Sequence, residues 1–420
     1  MKTDSNKIFL LYILLYISML LGYYFNEDFA YGTIYDYTIH KKNAQILNND
    51  IVGTFLNYDD LRMPHSPIYL TYFLFINNIF GESFAKLINL HLILLIPLFF
   101  YLSINLKFSF KANNLIKFLP IIFFLSPYYR AGAIWIDDNV LSILFLTIAI
   151  YFFLKSKVDK NDNLKFILLN TFFLALAAYI RPIYSIFGIY FFFSYYLQLN
   201  LSKKFFYYVV LNIILSFPAI YYVFILEINY WFKPYLFRVN IITIFSLTIS
   251  VIFFYSFPFI LSNIEKIKSS FFDKITFLFS IFFLFLLFFY FDYGSPTHSG
   301  GIFYKFSNLF FNNNYFFYLC SFASFYFIFF VFKKFFQKKE FVSDFILFII
   351  LIFMGLHGRI YHEMYDPLFY VIVFLLINNN FYKTFVQNLS IKKISILFLF
   401  GAAFYLISVL KTYIYVMDAY

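Results

Sequence analysis

Long apolar runs alternate with short polar segments along the whole chain, and most of the runs approach the length of about 20 residues that a helix needs to cross a bilayer. We identify about thirteen such runs, which predict an all-α polytopic membrane protein with a single domain over residues 1–420. They lie near residues 8–25, 87–106, 115–129, 133–154, 165–180, 182–200, 205–226, 240–262, 275–291, 315–332, 341–356, 366–378 and 394–415.

The composition supports the same class of protein. Hydrophobic residues make up 63% of the chain and charged residues only 13%, which leaves too much apolar surface for a soluble core to bury. The net charge of +11 comes from lysines in short loops, where membrane orientation explains them, so we expect no nucleic acid as a partner. The single cysteine, Cys320, excludes an internal disulfide and a multi-thiolate metal site.

Lysines and arginines are distributed unequally between the two predicted sides of the membrane. Lys2 and Lys7 precede the first span, which no small-residue cleavage site follows, so we predict an uncleaved signal anchor with its N-terminus inside. Alternation of the later spans then puts most lysines inside. It puts all five arginines, Arg62, Arg130, Arg181, Arg238 and Arg359, outside. Because the positive-inside bias acts on both residue types, we interpret the outer arginines as candidates for chemistry at the extracytoplasmic face of the plasma (inner) membrane.

The first outer loop, residues 26–86, is the longest, and its first half is too polar to span a membrane. Within it, the segment from Ser66 to Phe80 is apolar but short, begins with Pro67 and ends at Gly81. Proline suits a first helical turn and glycine a helix end. We therefore predict an interfacial helix on the outer leaflet, because a crossing here would place the lysine-rich loops outside.

Several segments in a fixed order resemble a known family. They are NEDFAYG, with Glu27 and Asp28; MPHSPIYL, with His65 and Tyr69; GES after Phe80; YYRAGAIWIDDNVLSILFL, with Arg130, Asp137 and Asp138; AAYIRPIYSIFG, with Arg181; and HGRIYHEMYDPLFY, with Arg359 and His362. With about thirteen spans, this set resembles the GT-C superfamily of membrane glycosyltransferases, which includes protein O-mannosyltransferases, aminoarabinose lipid A transferases and lipid-linked oligosaccharide glucosyltransferases. The order of the first acid pair is reversed here, and no soluble C-terminal domain is expected after the last span.

The resemblance implies sugar transfer from a polyprenyl-phosphate donor to a hydroxyl acceptor with inversion at the anomeric carbon. A carboxylate is needed as general base for the acceptor hydroxyl, and Asp28 is the first candidate, followed by Glu27 and Asp138. Arginine suits the leaving phosphate because its fork matches phosphate oxygens and keeps its charge. We assign substrate binding to Arg359, Arg181, Arg130, Asp137, His65, Tyr69, His298 and His362.

Structural explanations compete with these roles. Asp28 could solvate a helix end, Asp137 and Asp138 could pair with Arg130 or stabilise a helix N-terminus, and loop histidines are often only solvated. Asp59, Asp60 and His65 lie within seven positions, but their spacing matches no metal motif, so we expect neither a metal nor another cofactor. The expected partners are the lipid-linked sugar donor, a glycan or other hydroxyl acceptor, and the bilayer; sugar, acceptor and oligomeric state stay open.

Two other classes of protein remain as alternatives. A polysaccharide polymerase or ligase would also use lipid-linked donors and arginines, but usually has its large outer loop late in the chain. A transporter or flippase of lipid-linked oligosaccharides should have polar residues near the bilayer midplane and broken helices or internal repeats. The sequence shows no nucleotide-binding motif, so a donor carried by lipid is favoured over a soluble nucleotide sugar.

Overall fold

The computed structural model describes residues 5–30, 32–61, 66–108, 114–159, 162–225, 240–265, 272–294, 299–336, 340–355 and 360–417. Within these ranges every regular element is a helix and no strand occurs, which confirms the all-α prediction for this part of the chain.

The α-helices are numbered here in chain order. They are α1 Ser5–Tyr24, α2 Thr33–Asn49, α3 Ile51–Leu56, α4 Pro67–Phe80, α5 Glu82–Ile93, α6 Leu95–Phe108, α7 Ile121–Phe124, α8 Pro127–Ile134, α9 Asp138–Val158, α10 Asn163–Ile180, α11 Phe187–Leu199, α12 Lys203–Ile220, α13 Ile241–Ser262, α14 Lys274–Tyr290, α15 Gly301–Phe311, α16 Tyr315–Phe335, α17 Phe341–Phe353, α18 Leu368–Leu375, α19 Asn380–Gln387 and α20 Ile391–Met417. Short 3₁₀ helices occupy Tyr58–Leu61, Asn114–Phe118, Pro182–Ile186 and His362–Met364.

Eight helices among the described residues are long and apolar enough to cross a membrane, so the chain is a multi-pass membrane protein. They are Asn6–Tyr24, Glu82–Phe108, Asp138–Val158, Asn163–Ile180, Lys203–Ile220, Ile241–Ser262, Tyr315–Phe335 and Ile391–Thr412. The pair His362–Leu375 and Asn380–Gln387, bent by 82°, makes a ninth if it counts as one span. The count of thirteen is not confirmed, because the other predicted spans are shorter or broken helices.

The chain folds into two compact units. The first comprises residues 1–231 and 398–420, and the second comprises residues 232–397. In the first unit α9 is enclosed on all sides, with buried residues along its whole length. The helix α4 begins at Pro67 and ends before Gly81, whose φ of 75° favours glycine. Its position at the membrane surface stays a prediction.

The predicted span near 115–129 is present as a series of short helices beside α1. At one end the Tyr12 hydroxyl donates to the Lys117 carbonyl at 2.6 Å. At the other end Arg130 donates to the Ser18 carbonyl at 3.1 Å, and the Trp135 indole donates to the Glu27 carbonyl at 2.9 Å. The contacts on α1 itself, at Tyr12 and Ser18, are six residues or about 9 Å apart along the helix axis, and the contact at Glu27 follows the end of the helix. The broken segment therefore runs beside most of α1 although no single helix in it is long enough to cross.

The predicted span near 182–200 is broken in a similar way, since the 3₁₀ helix Pro182–Ile186 leads into α11. Arg181 lies against Asp138 at the start of α9, and Gln198 donates to the carbonyl of Ser156 near its end. This segment also runs the length of a spanning helix, although each helical piece in it is too short to cross a bilayer alone.

In the second unit, α13 carries small hydroxyl residues on buried faces. Ser246, Ser250 and Ser256 are buried and each donates to a carbonyl of the preceding turn, and the Ser256 hydroxyl also lies 3.0 Å from the Tyr382 hydroxyl on α19. Small side chains allow close helix approach in a membrane protein.

At the start of α14, the Lys333 ammonium beside Asp273 holds the pKa of that carboxyl well below its usual range.

The sidedness is open to a direct test on a Cys320→Ser background. We expect an impermeant thiol reagent to label Asn49→Cys in intact cells and to leave Asp162→Cys unlabelled, because the first loop and the lysine-rich turns should lie on opposite faces. Both side chains are exposed in the structure, so access to the local surface does not limit labelling. Permeabilised cells, in which both positions should react, are the control. The reverse labelling pattern would reject the orientation.

Candidate functional site

The first acid pair follows a specific helix ending. At the end of α1, the Glu27 amide donates to the Gly22 carbonyl at 2.8 Å and the Asn26 amide donates to the Tyr23 carbonyl at 3.2 Å. Asn26 has a φ of 54°, the left-handed conformation that this pattern of bonds requires and that asparagine tolerates. A Cβ at Gly22 would collide with the Glu27 carboxylate. The ending therefore folds Glu27 back against its own helix.

Glu27 forms a buried ion pair with Arg130 on α8. The two nitrogens Nε and Nη2 donate to Oε1 and Oε2 at 2.6 and 2.5 Å, and each side chain is only 5% exposed. The guanidinium also donates to the Ser18 hydroxyl and carbonyl, and the Tyr405 hydroxyl donates to Glu27 Oε1 at 3.2 Å. Both carboxylate oxygens are thus engaged by arginine. Glu27 would have to leave this pair to act as a base, and Arg130 would have to leave it to contact a phosphate.

Asp28 is held differently from its neighbour. Its Oδ2 accepts from the amides of Gly32 and Ile34 at 3.3 and 3.1 Å, at the start of α2. Its Oδ1 is buried and has no hydrogen-bond partner among the described residues. Amide donors at a helix N-terminus stabilise a carboxylate and fix its orientation. One oxygen is therefore fixed in place, and the other is available to accept a proton.

Asp137 and Asp138 begin α9, next to a strained turn. Asp137 Oδ1 accepts from the Val140 amide at 2.9 Å and caps the helix. Ile136, just before it, is fully buried with a φ of 54°. The left-handed conformation costs a residue with a Cβ about 1–2 kcal/mol, and a β-branched residue there is an outlier. Such strain concentrates at functional sites and persists only where surrounding contacts hold it.

Contacts with other parts of the first unit hold the turn at Ile136 in place. Tyr69 on α4 is fully buried, and its hydroxyl donates to the Ile136 carbonyl at 2.6 Å. The Trp135 indole is bonded to the Glu27 carbonyl, and the Lys86 ammonium lies 3.9 Å from the centre of a Trp135 ring. The turn therefore links the first loop, the Glu27 region and the start of α9 in one structure within the first unit.

Arg181 pairs with Asp138 across the start of α9. Its Nε lies 3.5 Å from Asp138 Oδ2, and the side chains are 14% and 5% exposed. The expected pairing of this acid with Arg130 is therefore not the one observed, because Arg130 is bound to Glu27 while Arg181 lies beside Asp138. The geometry of this second pair is looser than that of the first, since the shortest distance is 3.5 Å instead of 2.5 Å.

The remaining candidates belong to the second unit or fall outside the described residues. His362 belongs to the second unit, where its Nδ1 lies 2.9 Å from the hydroxyl of Tyr255 on α13. The location of His362 in an outer turn stays a prediction. His65, His298 and Arg359 fall outside the described ranges. Within those ranges no group of three or more His, Cys, Asp or Glu residues could hold a metal ion.

Sequence reasoning missed four residues that shape this region, namely His40, Lys86, Trp135 and Tyr405. His40 is buried with its ring 5.0 Å from that of Tyr69, and Lys86 is buried between Glu82 and the rings of Tyr37 and Trp135. The i to i+4 spacing of Glu82 and Lys86 was a usable signal. The contacts of His40 and Tyr405 join residues far apart in sequence, so no local pattern could reveal them.

Comparison with known proteins finds no matching family model, no matching curated protein and no matching solved structure. The GT-C resemblance therefore stays a prediction, and it depends on the quoted segments alone.

Because the Glu27–Arg130 pair is buried, Glu27→Gln should destabilise the fold by about 3–5 kcal/mol, the usual cost of leaving one charge of a buried pair uncompensated. Replacing both partners with apolar residues, as in Glu27→Leu with Arg130→Met, should recover part of the loss. The measurement is the free energy of unfolding in detergent. Lys41→Gln, which removes a pair whose side chains are 48% and 41% exposed, is the matched control and should cost at most about 1 kcal/mol. A stable Glu27→Gln protein without activity would instead indicate that Glu27 is catalytic.

Proposed function

We propose that the chain is an inverting glycosyltransferase that moves a sugar from a polyprenyl-phosphate donor to a hydroxyl acceptor at the extracytoplasmic face. The observation that carries this proposal is the asymmetry of Asp28, with one oxygen bound to backbone amides and the other buried without a partner among the described residues. A base needs an oriented lone pair within reach of the proton it accepts. Asp28 meets the orientation requirement and Glu27 does not.

The reaction balances with the residues present. Asp28 accepts the proton of the acceptor hydroxyl while that oxygen attacks the anomeric carbon. The bond from this carbon to the phosphate oxygen breaks in the same displacement, and polyprenyl phosphate leaves with the electron pair. Negative charge then accumulates on the phosphate, where a preorganised cation stabilises the transition state.

Arg181 is the cation that we assign to the phosphate. It lies beside Asp138, at the strained turn that also contacts the Glu27 carbonyl through Trp135. Arg130 is fully engaged by Glu27, so we assign it the role of positioning the acid pair. Arg359, outside the described residues, keeps its proposed phosphate contact on the strength of the resemblance.

A second candidate function is a transporter or flippase for lipid-linked glycans. One feature favours it, namely the 82° bend between His362–Leu375 and Asn380–Gln387, since broken helices are typical of transporter binding sites. The two functions differ in product. A membrane fraction incubated with a panel of polyprenyl-phosphate sugars should form a new glycoside if the chain is a transferase, and should only move the donor between leaflets if it is a transporter.

Asp28→Asn should keep the protein folded and donor binding near normal, while transfer falls by about 10²–10⁴-fold, because the amide keeps the size of the side chain and loses its basicity. Radiolabelled sugar transfer in membranes measures the rate, and retention of labelled donor measures binding. Asp60→Asn, in the 3₁₀ helix Tyr58–Leu61 of the same loop, is the matched control. Transfer at the normal rate by Asp28→Asn would move the role to Asp138.

Arg181→Ala should lower turnover by about 10²–10³-fold, the usual cost of removing one group that stabilises developing negative charge. Arg181→Lys should restore only part of it, because an ammonium lacks the guanidinium fork. The exposed Lys165 lies on the predicted opposite face, so Lys165→Ala should have no effect. A loss of donor affinity with turnover intact would show that Arg181 binds the donor equally in ground and transition states.

A further inference from the structure

A groove lies between α1 and α6 in the first unit, and Lys117, Pro120 and Phe124 form its floor. Its volume is about 540 Å³, within the range of about 300–1,000 Å³ that small-molecule sites occupy. Tyr12 and Tyr16 line it from α1, Pro97, Leu98 and Tyr101 from α6, and Lys117 from the floor. The lining residues recur every three or four positions, so one face of each helix forms one wall.

The lining is apolar apart from tyrosine hydroxyls and one ammonium group. Lys117 is the only charged residue among the described residues that line the groove, and none of them carries a carboxylate. A lysine ammonium at a membrane boundary reaches for the interface while its carbon stem covers apolar surface. The groove thus combines a surface for hydrocarbon with a single positive charge.

Lys117 lies level with Tyr12, in the half of α1 away from Glu27, because its carbonyl accepts from the Tyr12 hydroxyl at 2.6 Å. Leu98 lies deeper along α6 and is 48% exposed, so the groove opens sideways where lipid chains would surround the protein. A ligand that fits has an anionic head near Lys117 and an apolar tail that runs along α1 and α6.

We propose that this groove binds one anionic glycerophospholipid, with its phosphate at Lys117 and an acyl chain against Leu98 and Tyr101. The inference does not depend on the proposed transferase activity. The floor of the groove continues into α8, which carries Arg130. Bound lipid should therefore stabilise the same segment that holds the Glu27–Arg130 pair.

Native mass spectrometry of the full chain, released from detergent with added phosphatidylglycerol or phosphatidylcholine, tests the proposal. We expect one phosphatidylglycerol to remain bound to the wild type at concentrations where phosphatidylcholine does not. Lys117→Gln should weaken phosphatidylglycerol binding about fivefold, the loss of one lysine's attraction for an anionic headgroup. Leu98→Trp, which fills the groove, should lower binding of the lipid whatever its headgroup. The exposed Lys165→Gln is the matched control and should change nothing.

Three results would overturn the proposal. Equal retention of both lipids by the wild type would mean that lipid binds without recognition of charge. Unchanged binding by both Lys117→Gln and Leu98→Trp would place the lipid elsewhere. Polyprenyl monophosphate that displaces phosphatidylglycerol at far lower concentration would show that the occupant is an isoprenoid lipid and not a glycerophospholipid.

Discussion

The architecture of the first unit depends on one buried ion pair. Glu27 and Arg130 are almost inaccessible to solvent, and removal of two charges from water costs several kcal/mol each unless they bond to one another. This constraint fixes where the end of α1 lies against α8. It also fixes the Trp135 turn, because the same residue that supplies the carboxylate supplies the carbonyl that binds the indole. Asp28 directly follows Glu27 in the chain, so the ion pair also determines where Asp28 lies.

The helices α1 and α8 end in the same way, with a residue in the left-handed conformation shortly after the last helical turn. In α1, asparagine occupies the left-handed position, which it tolerates, whereas in α8 the equivalent position is Ile136. There the Asp137 amide donates to the Gly132 carbonyl, the counterpart of the bond from Glu27 to Gly22. A side chain at Gly132 would collide with Val140, so the close approach of α8 and α9 also requires glycine. The strain at Ile136 is therefore imposed by the packing of the turn that presents Asp137 and Asp138.

The positions of most spanning helices could be predicted from the sequence, but the partners of the charged side chains could not. Eight of the predicted spans are helical segments long and apolar enough to cross a membrane, one of them made of α5 and α6 together, because an apolar run of sufficient length has no alternative there. The span near 115–129 is broken, since Pro120 and Pro127 interrupt it, yet its contacts with α1 keep it alongside that helix. The sequence indicates Asp28 and Glu27 as candidates for the general base, and that role stays a prediction. Their different environments could not be predicted, because these depend on Arg130 and Ile34 and on a backbone turn between them.

Arginines and lysines have different surroundings in the part of the chain that the structure describes. Arg130 and Arg181 are both largely buried, and each lies beside a carboxylate. Lys155 and Lys157, at the other end of α9, lie instead over the rings of Phe166 and Phe153. Arginine tolerates burial because its charge is delocalised and weakly hydrated, whereas a lysine ammonium favours the water interface unless close partners hold it, as Glu82 and two aromatic rings hold the buried Lys86. Arg130 and Arg181 therefore keep their charge in an apolar setting, each beside a carboxylate.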